Sequence, residues 1–158
     1  DWATGRLIPD CVRKWSKKRT VILRNPFSTR PWQHVLDVLR GYIFLAINLK
    51  KNKNINGEAF NFGPKIEKNR EVIKVVKLMK NHWKEGNWKK SKNKNFFEAK
   101  LLHLNSNKSK KYLGWSPLLN LENSIYYTIS WYKKFYTDRK NIYNFSLEQI
   151  NNYLKLKK

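Results

Sequence analysis

Cysteine is almost missing from this chain: Cys11 is the only one in 158 residues. That excludes an internal disulfide and suits a reducing compartment. Acidic side chains are also scarce, 11 Asp and Glu against 34 Lys and Arg, for a formal charge of +23. Long apolar runs are missing, since the longest, Tyr42 to Ile47, falls far short of the ~20 residues of a spanning helix. With no signal-like start either, the expectation is a cytoplasmic protein without membrane insertion. Glycine is sparse: Gly5, Gly41, Gly57, Gly63, Gly86 and Gly114 are never close enough to make G-x-G or G-x-x-G. A dinucleotide-cradling turn between a strand and a helix is thereby excluded. The three histidines, His34, His82 and His103, have no metal-ligand spacing and no cysteine partners, so no zinc site is expected. Neither G-x-S-x-G nor a P-loop occurs, and an autonomous enzyme is disfavoured.

What is present suffices for a folded unit. Hydrophobic residues make up 41% and aromatics 15%, enough to fill the core of one domain. The cations would ordinarily point to nucleic acid, and a basic nucleic-acid-binding module is one alternative reading. Their pattern argues against it. Most are Lys mixed with Asn in the stretches Lys50 to Asn56 and Lys84 to Asn95, whereas readers of DNA or RNA favour Arg at bases and a basic stripe on one element. A Lys/Asn-rich, Arg-poor surface is what free drift in an AT-rich gene produces.

Strand and helix periods alternate along the chain, which predicts an α/β fold without internal repeats. Arg6 to Lys18 is expected to be a helix, with Pro9 tolerated near its first turn. Thr20 to Leu23 is β-branched and apolar, hence a strand. Pro26 and Pro31 bracket a loop, after which Val35, Leu39, Tyr42, Ile43 and Ala46 recur at helical spacing, with Asp37 in the first turn facing the positive end of the helix dipole. Ala59 to Phe62 alternates and stops at Gly63-Pro64, a strand signature. Val72, Val75, Val76, Met79 and Trp83 define a second amphipathic helix. A basic loop (Lys84 to Asn95) and a short strand (Leu101 to Leu104) follow. Asn105 or Ser106 caps a helix ending at Gly114. Leu121, Ile125, Ile129, Tyr132 and Tyr136 line another, and Ser146-Leu147-Glu148-Gln149 reads as a capping box that starts the last. No linker separates two domains.

Arg30 carries the most chemistry. It is fixed between Thr29 and Pro31-Trp32, and its guanidinium fork matches a diphosphate, to which it can donate two charge-assisted hydrogen bonds in one plane. The competing reading pairs it with Asp37. Trp32 reads as a packing residue that holds the loop. Tyr136 with Lys140, and Tyr153 with Lys157, literally match Tyr-x-x-x-Lys, but a chain rich in Tyr and Lys yields such matches by chance; both pairs read as exposed positions on the last helices.

Two segments, Asp1-Trp2-Ala3-Thr4-Gly5-Arg6-Leu7-Ile8-Pro9-Asp10 and Arg24-Asn25-Pro26-Phe27-Ser28-Thr29-Arg30-Pro31-Trp32-Gln33-His34-Val35, resemble the substrate half of the sugar-nucleotide dehydratases, the CDP-glucose type above all, in the extended short-chain dehydrogenase/reductase superfamily. The likeness continues through Gly41-Tyr42, Phe97 to Leu104, Lys111 to Pro117 and Thr128 to Tyr132. In that family the first segment completes a Gly-Gly-Gly-Asp-Trp-Ala run, so the chain reads as the C-terminal, substrate-binding part of a longer enzyme, its Rossmann half missing. Residues 1–136 would be the substrate-binding region and 137–158 a helical extension without a clear counterpart.

The resemblance implies a nucleotide-sugar substrate, CDP-glucose, and a homo-oligomeric parent. That parent uses tightly held NAD to oxidise the sugar at C4, eliminate water across C5 and C6 and return the hydride to C6. None of those catalytic residues is assigned here, and the fragment itself is expected to be inactive. A related epimerase or a dehydratase for another nucleotide is the alternative. Carried over residue by residue, Arg30 would contact the diphosphate. Arg6 would help hold substrate phosphate, or is a solvated arginine at a helix start. Asn61 would lie near the nucleotide, or closes a turn. Leu23 would line the base pocket, or packs in the core, and Glu98 would face the nucleotide side, next to Phe97 where the family has His.

Overall fold

The computed structural model describes residues 2–65, 70–92 and 102–156. Six helices, α1 (Leu7–Trp15), α2 (Val35–Lys51), α3 (Val72–His82), α4 (Asn107–Leu113), α5 (Leu121–Thr137) and α6 (Ile142–Leu154), accompany two short strands, β1 (Val21–Leu23) and β2 (Trp88–Lys90), with 3₁₀ turns at Lys53–Ile55 and Arg139–Asn141. The fold is α/β, mostly helical. The strands pair in parallel, Val21 opposite Trp88 and Leu23 opposite Lys90; parallel pairing requires a crossover, which α2 and α3 supply between them.

The main core forms where apolar stripes from several elements meet. Cys11, Val12 and Trp15 of α1, Val21 and Leu23 of β1, Val75, Val76 and Met79 of α3, and Leu121, Ile125, Ile129 and Tyr132 of α5 are all buried together. The α3 stripe repeats at three- and four-residue intervals, so all of it faces α5. Trp15 adds a directional tie, donating from its indole to the Asn87 carbonyl at 2.8 Å. A smaller cluster gathers Ile55, Phe62, Leu113 and Trp115 beside α2. It needs Gly41, because a Cβ there would stand 2.5 Å from the Phe62 ring. Gly114 ends α4 in the left-handed conformation, φ 65°, as a C-terminal stop requires.

Several expectations are corrected. Ala59 to Phe62 alternates as read, with Phe62 buried and Asn61 exposed, but it joins no ladder among the described residues. The basic stretch Lys84 to Asn95 contains β2, because Trp88 to Lys90 finds the edge of β1. Of Leu101 to Leu104, the described residues 102–104 form no strand. The last helix starts at Ile142, so Ser146 is inside it and its hydroxyl donates to the Ile142 carbonyl at 2.7 Å instead of capping. Ile142, Phe145, Ser146, Gln149 and Tyr153 share one half-buried to buried face, and packing of that face on α5 outweighs the local cap signal. The apolar face of α2 differs most: Val35, Leu39, Tyr42, Ile43 and Ile47 are 47–59% exposed.

Candidate functional site

The loop between β1 and α2 is held from both sides. The backbone amides of Val72 and Ile73 donate to the carbonyls of Ser28 and Pro26 at 2.9 and 2.8 Å, and Thr29 bridges Glu71 in antiparallel fashion. Trp32 donates from its indole to the Arg70 carbonyl at 2.9 Å, and the Arg70 guanidinium donates back to the Trp32 carbonyl at 2.9 Å. Trp32 thus clamps the loop to the segment entering α3. Next to it, the Trp32 amide donates to the Arg30 carbonyl at 2.9 Å, a tight turn about Pro31.

His34 closes the loop and opens α2. Its Nδ1 accepts from the Leu36 amide at 3.3 Å, and its ring stands edge-on to Tyr127, centroids 5.6 Å apart. Burial pulls the imidazole down to about 4, against the opposing pull of Asp37, so it is neutral at physiological pH. Asp37 lies one turn further on, fully buried. Its carboxylate accepts from the amides of Leu118 and Leu119 at 2.8 and 3.3 Å and from the Tyr153 hydroxyl at 2.7 Å. The competing reading of Arg30 as the ion partner of Asp37 is therefore excluded; one guanidinium nitrogen of Arg30 donates instead to the Thr29 carbonyl at 2.7 Å. Tyr153, expected to be exposed, is 3% exposed, and burial together with Asp37 raises its phenol above the ordinary value.

A cavity of about 820 Å³ lies against this loop, and Arg6, Leu23 and Arg30 all line it. Arg6 is the residue before α1 and is exposed, with no side-chain cap bond. Gly5 to Asp10 line the same cavity, so the positive end of α1, Arg6 and the half-buried Arg30 share one opening, an arrangement suited to an anion. Leu23 is 2% exposed, at the end of β1; it belongs to the core and the cavity wall at once. Asn61 is elsewhere, exposed, with its side-chain amide donating to the Asn105 carbonyl at 3.4 Å. Glu98 lies outside the described residues.

Sequence reading missed the opposite wall. Thr128, Trp131 and Tyr132 of α5 and Ser146, Gln149 and Ile150 of α6 also line the cavity. The signal was available: positions 146, 149 and 150 fall on one helix face, provided that Ser146 is read as inside the helix and not as its cap.

Over 134 residues, 84% of its length, the chain is 38% identical to the CDP-glucose 4,6-dehydratase of Salmonella typhimurium. The chain is a homologue of the CDP-glucose 4,6-dehydratases. It spans 37% of that relative's length. No protein-family model matches it. Among solved structures, its fold is similar to the C-terminal part of a UDP-glucuronic acid 4-epimerase from Bacillus cereus, solved in complex with UDP-glucuronic acid and NAD: TM-score 0.69, 18% identity, covering 83% of this chain and 40% of the epimerase. The epimerase was solved with NAD, and the turn that cradles a dinucleotide runs from a strand into a helix N-terminus. After β1 the chain enters Arg24-Asn25-Pro26 and the clamped loop, with no glycine turn into a helix N-terminus. Among the described residues no helix is long and apolar enough to cross a membrane.

Proposed function

We propose that this chain is the substrate-gripping part of an NAD-dependent CDP-glucose 4,6-dehydratase, with catalytic and dinucleotide-binding residues in the remainder of the enzyme. The observation that carries the reading is the shared opening of Arg6, Arg30 and the N-terminus of α1 on one cavity of about 820 Å³, large enough for a nucleotide sugar by the usual range of small-molecule sites. Arg30 binds the diphosphate with its fork, Arg6 adds charge at the helix start, and Leu23 packs beside the base. Asn61, turned to the Asn105 carbonyl away from this cavity, takes no part in the proposed grip. In the whole enzyme, NAD held by the remainder would supply the hydride chemistry; the residues of this chain bind and orient the substrate and keep water from it. Positioning of that kind contributes on the order of 7–11 kcal/mol to a reaction.

The reading also gives the exposed face of α2 a purpose. The relative is much longer than this chain, which spans 37% of it, and Leu39, Tyr42, Ile43 and Ile47 offer the remaining part an apolar seat. Phe60 to Phe62, without a ladder partner among the described residues, lies alongside, with the Phe62 ring against Gly41 and Tyr42.

The test is CDP-glucose binding to the 158-residue chain, followed by ligand-observed NMR, which detects millimolar affinity. Wild type is expected to bind, and Arg30→Lys to bind about ten- to a hundredfold more weakly, because an ammonium keeps the charge but loses the fork; a hydrogen bond to a charged group contributes about 1.5–3 kcal/mol. Equal affinity of the two proteins would remove Arg30 from the site. Absence of wild-type binding would defeat the reading.

A further inference from the structure

The two walls of the cavity differ in charge. Every charged side chain lining it, Arg6, Asp10, Arg24 and Arg30, comes from α1, the residue before it, or the segment following β1. The wall from α5 and α6 contributes Thr128, Ser146, Gln149 and Ile150 among others, and no charge. Gln33 and His34, at the start of α2, also line the cavity.

Three polar atoms of this neutral group have hydrogen-bonding capacity to offer a ligand. Gln33 Nε2 is buried with no hydrogen-bond partner, a costly condition for an amide donor. The residue lines the cavity, and its last side-chain torsion is soft, so the amide is free to reorient toward a ligand. His34 Nδ1 is occupied by the Leu36 amide, so the neutral ring carries its proton on Nε2, as a donor. Gln149 is oriented the opposite way: its Nε2 donates to the Tyr127 carbonyl at 2.8 Å and to Ser130 Oγ at 3.0 Å, which leaves Oε1 as an acceptor. Its helix is pinned to the rest of the molecule by Tyr153 on Asp37 and by the Trp131 indole on Ser146 Oγ at 2.9 Å.

We propose that Gln33, His34 and Gln149 form a second subsite, which binds an uncharged, multiply hydrogen-bonding group of the same ligand whose phosphates meet Arg6 and Arg30, and that the C-terminal helix α6 is one of its walls. This rests on the nucleotide-sugar reading above. Two donors and an acceptor suit a group that both gives and takes hydrogen bonds, which in a nucleotide sugar is the hexose or the base. The segment beyond residue 136 is then part of the binding site and not an appendage.

Two substitutions in the 158-residue chain test this. Gln33→Leu keeps the volume and removes the unpartnered donor, so its urea midpoint is expected to equal or exceed that of wild type while CDP-glucose binds about tenfold more weakly. Ile150→Glu, on the α6 wall at a position 39% exposed, adds a negative charge facing an anionic ligand and is expected to weaken CDP-glucose several-fold with stability unchanged. Repeating the Gln33→Leu measurement with CDP and with glucose 1-phosphate identifies the group: loss with CDP assigns the base, loss with glucose 1-phosphate the hexose. Wild-type binding with both variants within twofold of it would overturn the subsite and leave the Arg30 reading standing. A Gln33→Leu protein that loses stability in step with affinity would also overturn it, since a structural role explains that result. No binding by wild type would overturn both.

Discussion

Helices α5 and α2 are equally long, 17 residues each, and both carry apolar residues at helical spacing, yet they meet opposite fates. On α5, Leu121, Ile125, Ile129 and Tyr132 are at most 6% exposed, packed with Val75, Val76 and Met79 of α3. On α2, only Asp37 and Gly41 are buried, while the apolar stripe faces outward. Periodicity alone reports that a helix has an apolar face; it does not report whether the partner for that face lies in the same chain. The buried side of α2 is joined to the molecule by Asp37, by Arg40 donating to the Ser116 carbonyl at 2.8 Å, by Asn48 donating to the Leu113 carbonyl at 3.4 Å, and by the close approach of Phe62 to Gly41. A contiguous exposed stripe of this kind marks an interaction surface, in keeping with a chain that spans 37% of its relative.

The largest effect is expected where the α5 stripe is truncated. Ile129 is fully buried, and Ile129→Ala should cost about 2–5 kcal/mol through lost burial and the cavity left behind. Urea denaturation of the 158-residue chain measures it. A loss below 1 kcal/mol would mean that the α3–α5 seam repacks freely and is no more a core than α2 is.

A smaller effect is expected at the α2 anchor, and it depends on pH. His34 titrates near 4 in the folded chain against about 6.5 unfolded. Because the folded value is depressed, the contribution is fully present above pH 6.5 and is lost as pH falls toward 4. About 2 kcal/mol should be gone by pH 5, and on the order of 3 in the acid limit. Glu58 and Asp138 are also lowered, by hydrogen bonds from Lys108 and Lys134, from ordinary values of 4.5 and 3.8, so they titrate below the upper part of this window. Urea midpoints from pH 7 to 5 should fall for wild type and stay nearly level for His34→Asn, which retains a capping side chain. Parallel slopes would take His34 out of the account.

What the sequence made legible follows from how local each signal is. The stripes of α3 and α5, the strand β1 and the glycine stop at Gly114 rest on neighbours within a few residues, and they stand within a residue or two of expectation. That Arg30 sits in a restrained loop was legible, because Pro31 and Trp32 flank it. The clamp itself was not legible: Arg70 reaches Trp32 across 38 residues. Nor was the Asp37–Tyr153 bond, whose partners are 116 residues apart; Asp37 looked like a first-turn acid, and Tyr153 like an exposed aromatic. Ser146 to Gln149 carried a sound local cap signal that lost to packing on α5, and with it went sight of the α6 wall. Strand pairing for Ala59 to Phe62 failed differently: the alternation is correct, and no strand among the described residues is there to receive it.

The smallest effect is expected on the outward face of α2, and it is the one that decides whether the comparison holds. Ile43 is 59% exposed, so Ile43→Ser removes little buried area in this chain and should change its stability by no more than about 0.5 kcal/mol, the usual range for surface positions. The polar side chain should at the same time raise the concentration at which the chain stays monodisperse, since it interrupts an exposed apolar stripe. If the stripe seats the rest of a longer enzyme, the same substitution made in a full-length protein should cost about 2–4 kcal/mol, because the position is then buried and is left with a mismatched hydroxyl. Measuring Ile43→Ser in both settings compares α2 with itself. Equal, near-zero effects in the two would leave the face without a partner in the longer protein, and an effect in the 158-residue chain as large as that of Ile129→Ala would mean that α2 is already packed as α5 is.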